Sequence, residues 1–163
     1  MQYAGFWIRL GAYIVDYIVL TIVLIILFFV LMAIGIIDFG PMMEMAQDPS
    51  MQSGGEVDPA TEAAALEMMK GMGIFYLLAI IVGWLYEAIM VSSSMQATPG
   101  KMVFGLRVQT VDGQQVGFGR ATGRFLGKII SSLIACIGFL MIAFTERKQG
   151  LHDMIAGTLV VRS

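Results

Sequence analysis

From Tyr17 to Ile37 the chain carries no charged side chain, and one carboxylate, Asp16, stands just inside one end of that apolar run. A helix of about 20 apolar residues crosses the hydrocarbon core of a bilayer, so the run is long enough to span without Asp16. A charge at the centre of such a helix costs roughly 2.5–3.5 kcal/mol on insertion scales, so an acid beside it is expected to have a partner, a proton or a route for water. The run continues well past the length of a secretory signal core and no small-residue cleavage site follows, so it is expected to stay in the membrane as an anchor.

A second span is expected over about residues 72–91, interrupted only by Glu87 roughly one turn before its end. Trp7, Tyr13, Trp84 and Tyr86 fall near one level of the two spans and suggest an interfacial aromatic belt. The connection over 38–71 holds Asp38, Glu44, Asp48, Glu56, Asp58, Glu62 and Glu67 against Lys70, whereas Ser92 to Lys128 holds Lys101, Arg107, Arg120, Arg124 and Lys128 against Asp112. Basic residues near span ends stay in the cytoplasm, so the acidic loop is expected outside and the N-terminus inside, in the cell inner membrane. Only 13% of the 163 residues are charged and 58% are hydrophobic, against about 25% charged in a soluble domain. Nucleic acid is therefore an unsuitable partner, and the lipid bilayer the expected one.

Within the acidic loop, Pro49, Gly54 and Gly55 suggest irregular chain, and Asp58-Pro59 suggests the start of a helix that runs into the second span. After that span, residues 102–116 are rich in β-branched side chains around Asp112-Gly113, which favours a tight hairpin turn. The C-terminal stretch Gly157 to Arg162 is strand-like and needs a sheet to join, and the hairpin is the natural host. The third apolar segment, 129–144, is too short for a full span and has basic residues on both sides. Charge and strand pairing favour a segment that dips into the membrane and returns, with a break at Gly138, over the other open reading, a true third crossing. The fold class expected is an all-α membrane protein, with two full transmembrane helices, a third short apolar segment that re-enters or crosses, and a small cytoplasmic β-hairpin joined by the C-terminal strand, all in one domain over 1–163.

Arg9 and Asp16 lie seven positions apart, on one helix face but about 10 Å apart along the axis. Two readings of Asp16 stay open: a member of a structural pair or latch between helices, or a site for a cation or proton. Glu87 either approaches Asp16, so that the two acids share a proton or a cation, or reaches the interface. His152 and Asp153 open a short helical segment, where the pair relays protons or the aspartate caps the helix. Thr98-Pro99-Gly100-Lys101 lacks the spacing of a phosphate-binding loop. Met42, Met43 and Met45 place soft thioethers in the external loop, of a kind that suits Cu(I), in a chain that has 14 methionines throughout. The one cysteine, Cys136, reads as a small buried hydrophobe. No serine, histidine and acid set supports a hydrolase, so no enzyme is expected, and no cofactor.

Three motifs in order resemble the RDD family of small membrane proteins, named for one arginine and two aspartates. They are Ala4 to Asp16 (AGFWIRLGAYIVD), Thr98 to Gly113 (with TPGK, GLRV and DG), and Leu151 to Thr158 (LHDMIAGT). The resemblance implies that Arg9, Asp16 and Asp153 are the signature residues and that they gather near the cytoplasmic face with Glu87. It implies suspected transport. The long acidic, Met-rich loop departs from the family pattern and suits an extracytoplasmic protein partner. The function expected is movement of a small monovalent cation or proton through Arg9, Asp16, Glu87, His152 and Asp153, by a homo-oligomer. The alternative is a non-transporting scaffold or regulatory subunit of a larger membrane complex.

Overall fold

The computed structural model describes residues 2–47, 59–134 and 137–162, so the expectations placed on Asp48, Pro49, Gly54 to Asp58 and Cys136 lie outside the described residues. Helix α1 (Phe6–Ala33) has no proline or internal charge pair to interrupt it, and at 28 residues it is ~42 Å long. It stops four residues before the apolar run does. Gly35 takes φ +75°, its N–H donates to the Met32 carbonyl, and the Ile36 N–H donates to the Leu31 carbonyl, which is a Schellman cap. A short helix α2 (Gly40–Gln47) follows, and α3 (Pro59–Ser92) begins on proline and runs 34 residues without a break into the second span. Both long helices are apolar enough to cross a membrane, with mean hydropathy 3.0 and 2.2, and Ile22, Ile26, Phe29, Tyr76, Leu77 and Ile80 stand exposed along them. The protein is a membrane protein.

The chain forms two compact units: a central one over Thr21–Ile81, and a terminal one made of the residues up to Leu20 with Val82 onward. In the central unit Phe28 meets Phe75 edge to face at 5.5 Å, and Leu31 and Ile37 are buried. Gly71 lies against the Ile36 carbonyl of the Schellman turn, where a Cβ would collide with backbone.

The terminal unit contains α4 (Pro99–Val103), β1 (Leu106–Thr110), α5 (Phe118–Leu133), α6 (Ile137–Phe144), α7 (Leu151–Ala156) and β2 (Thr158–Arg162). The two strands pair antiparallel, Leu106 opposite Arg162 through Thr110 opposite Thr158. The N-terminus joins them: Tyr3 bridges to Val161, the Ala4 N–H donates to the Val160 carbonyl at 2.9 Å, and the Arg162 N–H donates to the Gln2 carbonyl at 3.0 Å. Ala4, Ala12, Ala88, Val91, Leu106, Val108, Val116, Ala121 and Val160 form the apolar core beneath.

The small sheet is built from more distant partners than the hairpin motif suggests. Met102 and Val103 belong to α4, and Gly105 turns the chain with φ +61° before β1 begins. Beyond Thr110 the turn at Gly113 (φ +79°) returns only as far as one bridge, Gln109 to Gln115, so the strand beside β1 is the C-terminal one. The third apolar segment is a bent helix pair, α5 and α6 at 103°, that starts 11 residues earlier than its hydropathy suggests. Its break falls between Leu133 and Ile137. Gly138 sits inside α6, where a Cβ would strike the Ser131 side chain, so that glycine serves close packing rather than a kink.

Candidate functional site: a buried charge network

Helix α5 is amphipathic the wrong way round for a soluble protein. Ala121, Arg124, Gly127 and Ser131 are buried, while Leu126, Ile129, Ile130 and Leu133 are exposed. A helix whose polar face turns inward brings its charges to other charges, and α7 packs on that face, with Gly127 within van der Waals reach of His152. The sharp turn before α7 puts Asp153 at its third position, where the Gly150 N–H donates to Oδ2 at 3.2 Å.

Asp153 is a cap and more. Arg9 Nη1 from α1 donates to its Oδ2 at 2.5 Å, and Arg124 Nε from α5 donates to its Oδ1 at 2.9 Å. Arg9 also donates through Nε to the Ala4 carbonyl at 3.0 Å, which ties the start of α1 to the edge of the sheet. Arg124 reaches on through Nη1 to Glu87 Oε1 at 3.3 Å, and Lys128 Nζ sits 2.6 Å from the same oxygen and 2.7 Å from Oε2. The result is one buried chain of alternating charge, Arg9–Asp153–Arg124–Glu87–Lys128, joining α1, α7, α5 and α3. Burial alone would push the Asp153 carboxyl up, and the Arg124 and Arg9 guanidiniums outweigh it, holding it below the usual carboxylate range.

Asp16 has its own partners. Tyr86 Oη donates to Oδ1 at 2.8 Å, the Gly100 N–H donates to Oδ1 at 2.7 Å, and Thr98 Oγ1 donates to Oδ2 at 2.5 Å. Gly100 is the second residue of α4, so a carboxylate from α1 does the work that a capping side chain would do from within its own helix. Glycine is required there, because a Cβ would collide with the Ala12 carbonyl and the Asp16 carboxylate. Lys101 Nζ donates to Thr98 Oγ1 at 3.1 Å.

The five residues singled out in the sequence all lie in the terminal unit. Arg9 and Asp153 come into direct contact. Arg9 and Asp16 do not pair, and Asp16 and Glu87 bind different partners. His152 is buried with its Nε2 3.5 Å from Asp153 Oδ1 and its ring 5.2 Å from that of Phe139. Burial pushes its imidazole down to about 3, so it is neutral at neutral pH. Two buried nitrogens, Arg9 Nη2 and His152 Nδ1, have no hydrogen-bond partner among the described residues. Of the aromatic residues, Trp7 and Tyr13 stand exposed, whereas Trp84 donates to Thr122 Oγ1 and Tyr86 is bound to Asp16. Met42 and Met43 are exposed on α2, the helix that also carries Met45. Among the described residues no group of three or more His, Cys, Asp or Glu side chains is placed to hold a metal ion.

Tyr86, Thr98, Lys101, Arg124 and Lys128 are members that the sequence did not single out as site residues, although Thr98 and Lys101 stand in the TPGK motif. For two of them the signal is in the sequence: Arg124 and Lys128 are four apart and share a helical face with Gly127 and Ser131.

The RDD family profile matches residues 3–157. Among curated relatives, the uncharacterized protein YxaI of Bacillus subtilis (strain 168) is 35% identical over 97% of this chain and 96% of its own. Two more from the same organism are the uncharacterized protein YckC, 27% identical over 96% of this chain and 83% of its own, and the uncharacterized membrane protein YteJ, 28% identical over 98% and 80%. No solved structure matches.

Proposed function

The chain belongs to the RDD family, and from that premise we propose that it is a non-transporting membrane module, a scaffold or regulatory subunit of a larger membrane complex, whose buried charges lock the span ends to the small sheet. One observation carries the reading: each of the three buried carboxylates accepts from two or three donor groups, all but the Gly150 N–H from other elements. Asp153 accepts from Arg9, Arg124 and Gly150, Glu87 from Arg124 and Lys128, and Asp16 from Tyr86, Thr98 and Gly100. A cation site needs anionic oxygen to spare. Here Arg9, Arg124 and Lys128 already pair with Asp153 and Glu87, and three neutral donors occupy Asp16, so a further cation entering that core has to displace existing partners.

The basic residues Arg107, Arg120, Arg147, Lys148 and Arg162 all fall in the terminal unit, which supports a cytoplasmic placement of both termini in a cell inner membrane. The acidic connection over 38–71, with exposed Met42 and Met43, is then the extracytoplasmic face open to a protein partner. A second reading, movement of a monovalent cation or proton by a homo-oligomer, is favoured by Arg9 Nη2 and His152 Nδ1. Buried nitrogens without protein partners are where internal water is held, and a transport path is hydrated.

Gradient-driven flux in liposomes separates the two. The lock reading predicts no sodium, potassium or proton flux above empty liposomes, and a clear loss of thermal stability in Asp16→Asn. Flux that disappears in Asp16→Asn while stability is unchanged replaces it with the transport reading.

A further inference from the structure

Four cations and three carboxylates leave one positive charge unmatched, and the bonding identifies which. Arg9, Arg124 and Lys128 each form an ion pair with Asp153 or Glu87. Lys101 is in no ion pair among the described residues. Its Nζ donates to a neutral acceptor, Thr98 Oγ1, and that hydroxyl spends its own hydrogen on Asp16 Oδ2. Half-buried on α4, Lys101 feels Asp16 from α1, Glu87 from α3, and the like charges of Lys128 and Arg124 from α5. Tyr86 of α3 completes the surroundings by holding the far oxygen of Asp16.

We propose that Lys101 is the proton-exchanging site of this polar core, joined to Asp16 through the Thr98 hydroxyl. Arg9, Arg124 and Lys128 are each matched by a carboxylate, whereas Lys101 relieves the surplus by releasing its proton. The same hydrogen-bond chain offers an internal route. The ammonium N–H bond breaks as the proton passes to Thr98 Oγ1, the hydroxyl's own hydrogen passes to Asp16 Oδ2, and the pair becomes an amine and a carboxylic acid with no net charge change. Burial, with the Lys128 ammonium nearby, pushes Lys101 down to about 7, which agrees with the bonding. The site goes beyond the lock, which needs no exchangeable proton, and it does not depend on whether the protein transports anything.

The test is a pH titration of the full chain in lipid nanodiscs with lysine labelled with carbon-13 at Cε, followed by NMR. The chain has four lysines, Lys70, Lys101, Lys128 and Lys148, and the Lys101 resonance is identified by its loss in Lys101→Gln. The expected result is a Lys101 midpoint near 7 in the wild type, well below the ordinary lysine value of about 10.4. Lys128→Gln, which removes the like charge, should raise the Lys101 midpoint by about a unit, and Asp16→Asn, which removes a favourable anion, should lower it. A wild-type Lys101 midpoint at the ordinary lysine value of about 10.4 overturns the proposal. Should Lys101→Gln not fold, Lys70→Arg, Lys128→Arg and Lys148→Arg assign the other three resonances and leave Lys101 by elimination, and flux or its absence leaves the reading unaffected.

Discussion

Asp153 and His152 are adjacent in sequence and buried together, yet the core treats their protons in opposite ways. The imidazole is kept neutral by burial, and the carboxyl is kept ionised by Arg124 and Arg9. Both shifts make the folded state lose stability on acidification. For His152, the unfolded chain takes up a proton as pH falls through about 6.5 while the folded chain does not until about 3, so its stabilisation is whole above 6.5 and declines across that window. Asp153 contributes above its ordinary value of 3.8 and loses that contribution as pH falls below it. The expected outcome is a thermal midpoint in detergent that drops between pH 7 and pH 5, with a shallower drop in His152→Gln. A midpoint that is flat or rises over that range contradicts the burial of a neutral imidazole. At the same scale, Gly100→Ala should cost about 1–3 kcal/mol in unfolding free energy, because its Cβ has only the Ala12 carbonyl and the Asp16 carboxylate to displace.

Among the elements, the sheet decides the topology. Gln2, Tyr3 and Ala4 bond to β2, and β2 pairs with β1, so both ends of the chain lie on one small sheet. Two helices are long and apolar enough to cross a membrane, and the bent pair α5–α6 lies within the terminal unit. Reporter fusions at the N- and C-termini should therefore report the same side of the membrane, and opposite sides would rule out the pairing of Gln2 with Arg162. The two spans were legible from hydropathy, the run of α3 from Pro59 from the Asp58-Pro59 helix start, and the strand character of 158–162 from β-branched composition. The start of α5 at Phe118 was not. Its residues alternate glycine, arginine and apolar side chains, so mean hydropathy is low although the helix is strongly amphipathic. The end of α1 also escaped, because Gly35 sits among isoleucines and only its cap geometry marks it as the stop.

For the molecule as a whole, the candidate site was half legible. Arg9, Asp16 and Asp153 could be picked out because charges beside apolar runs are rare and because their motifs resemble a family. Most of their partners could not, because contacts such as Tyr86 to Asp16 and Arg124 to Asp153 join positions 70 and 29 apart and are set by how the helices pack, not by local pattern. If the network is a lock, its members act on stability as a unit, since removing one partner strands a buried charge at about 3–5 kcal/mol. The most direct measurement is a double-mutant cycle on Arg9→Gln and Asp153→Asn, scored by unfolding free energy in detergent micelles. The lock predicts that the double variant loses less than the sum of the two single variants, with a coupling of about 1–3 kcal/mol. Additive losses, with no coupling between the two sites, would contradict it.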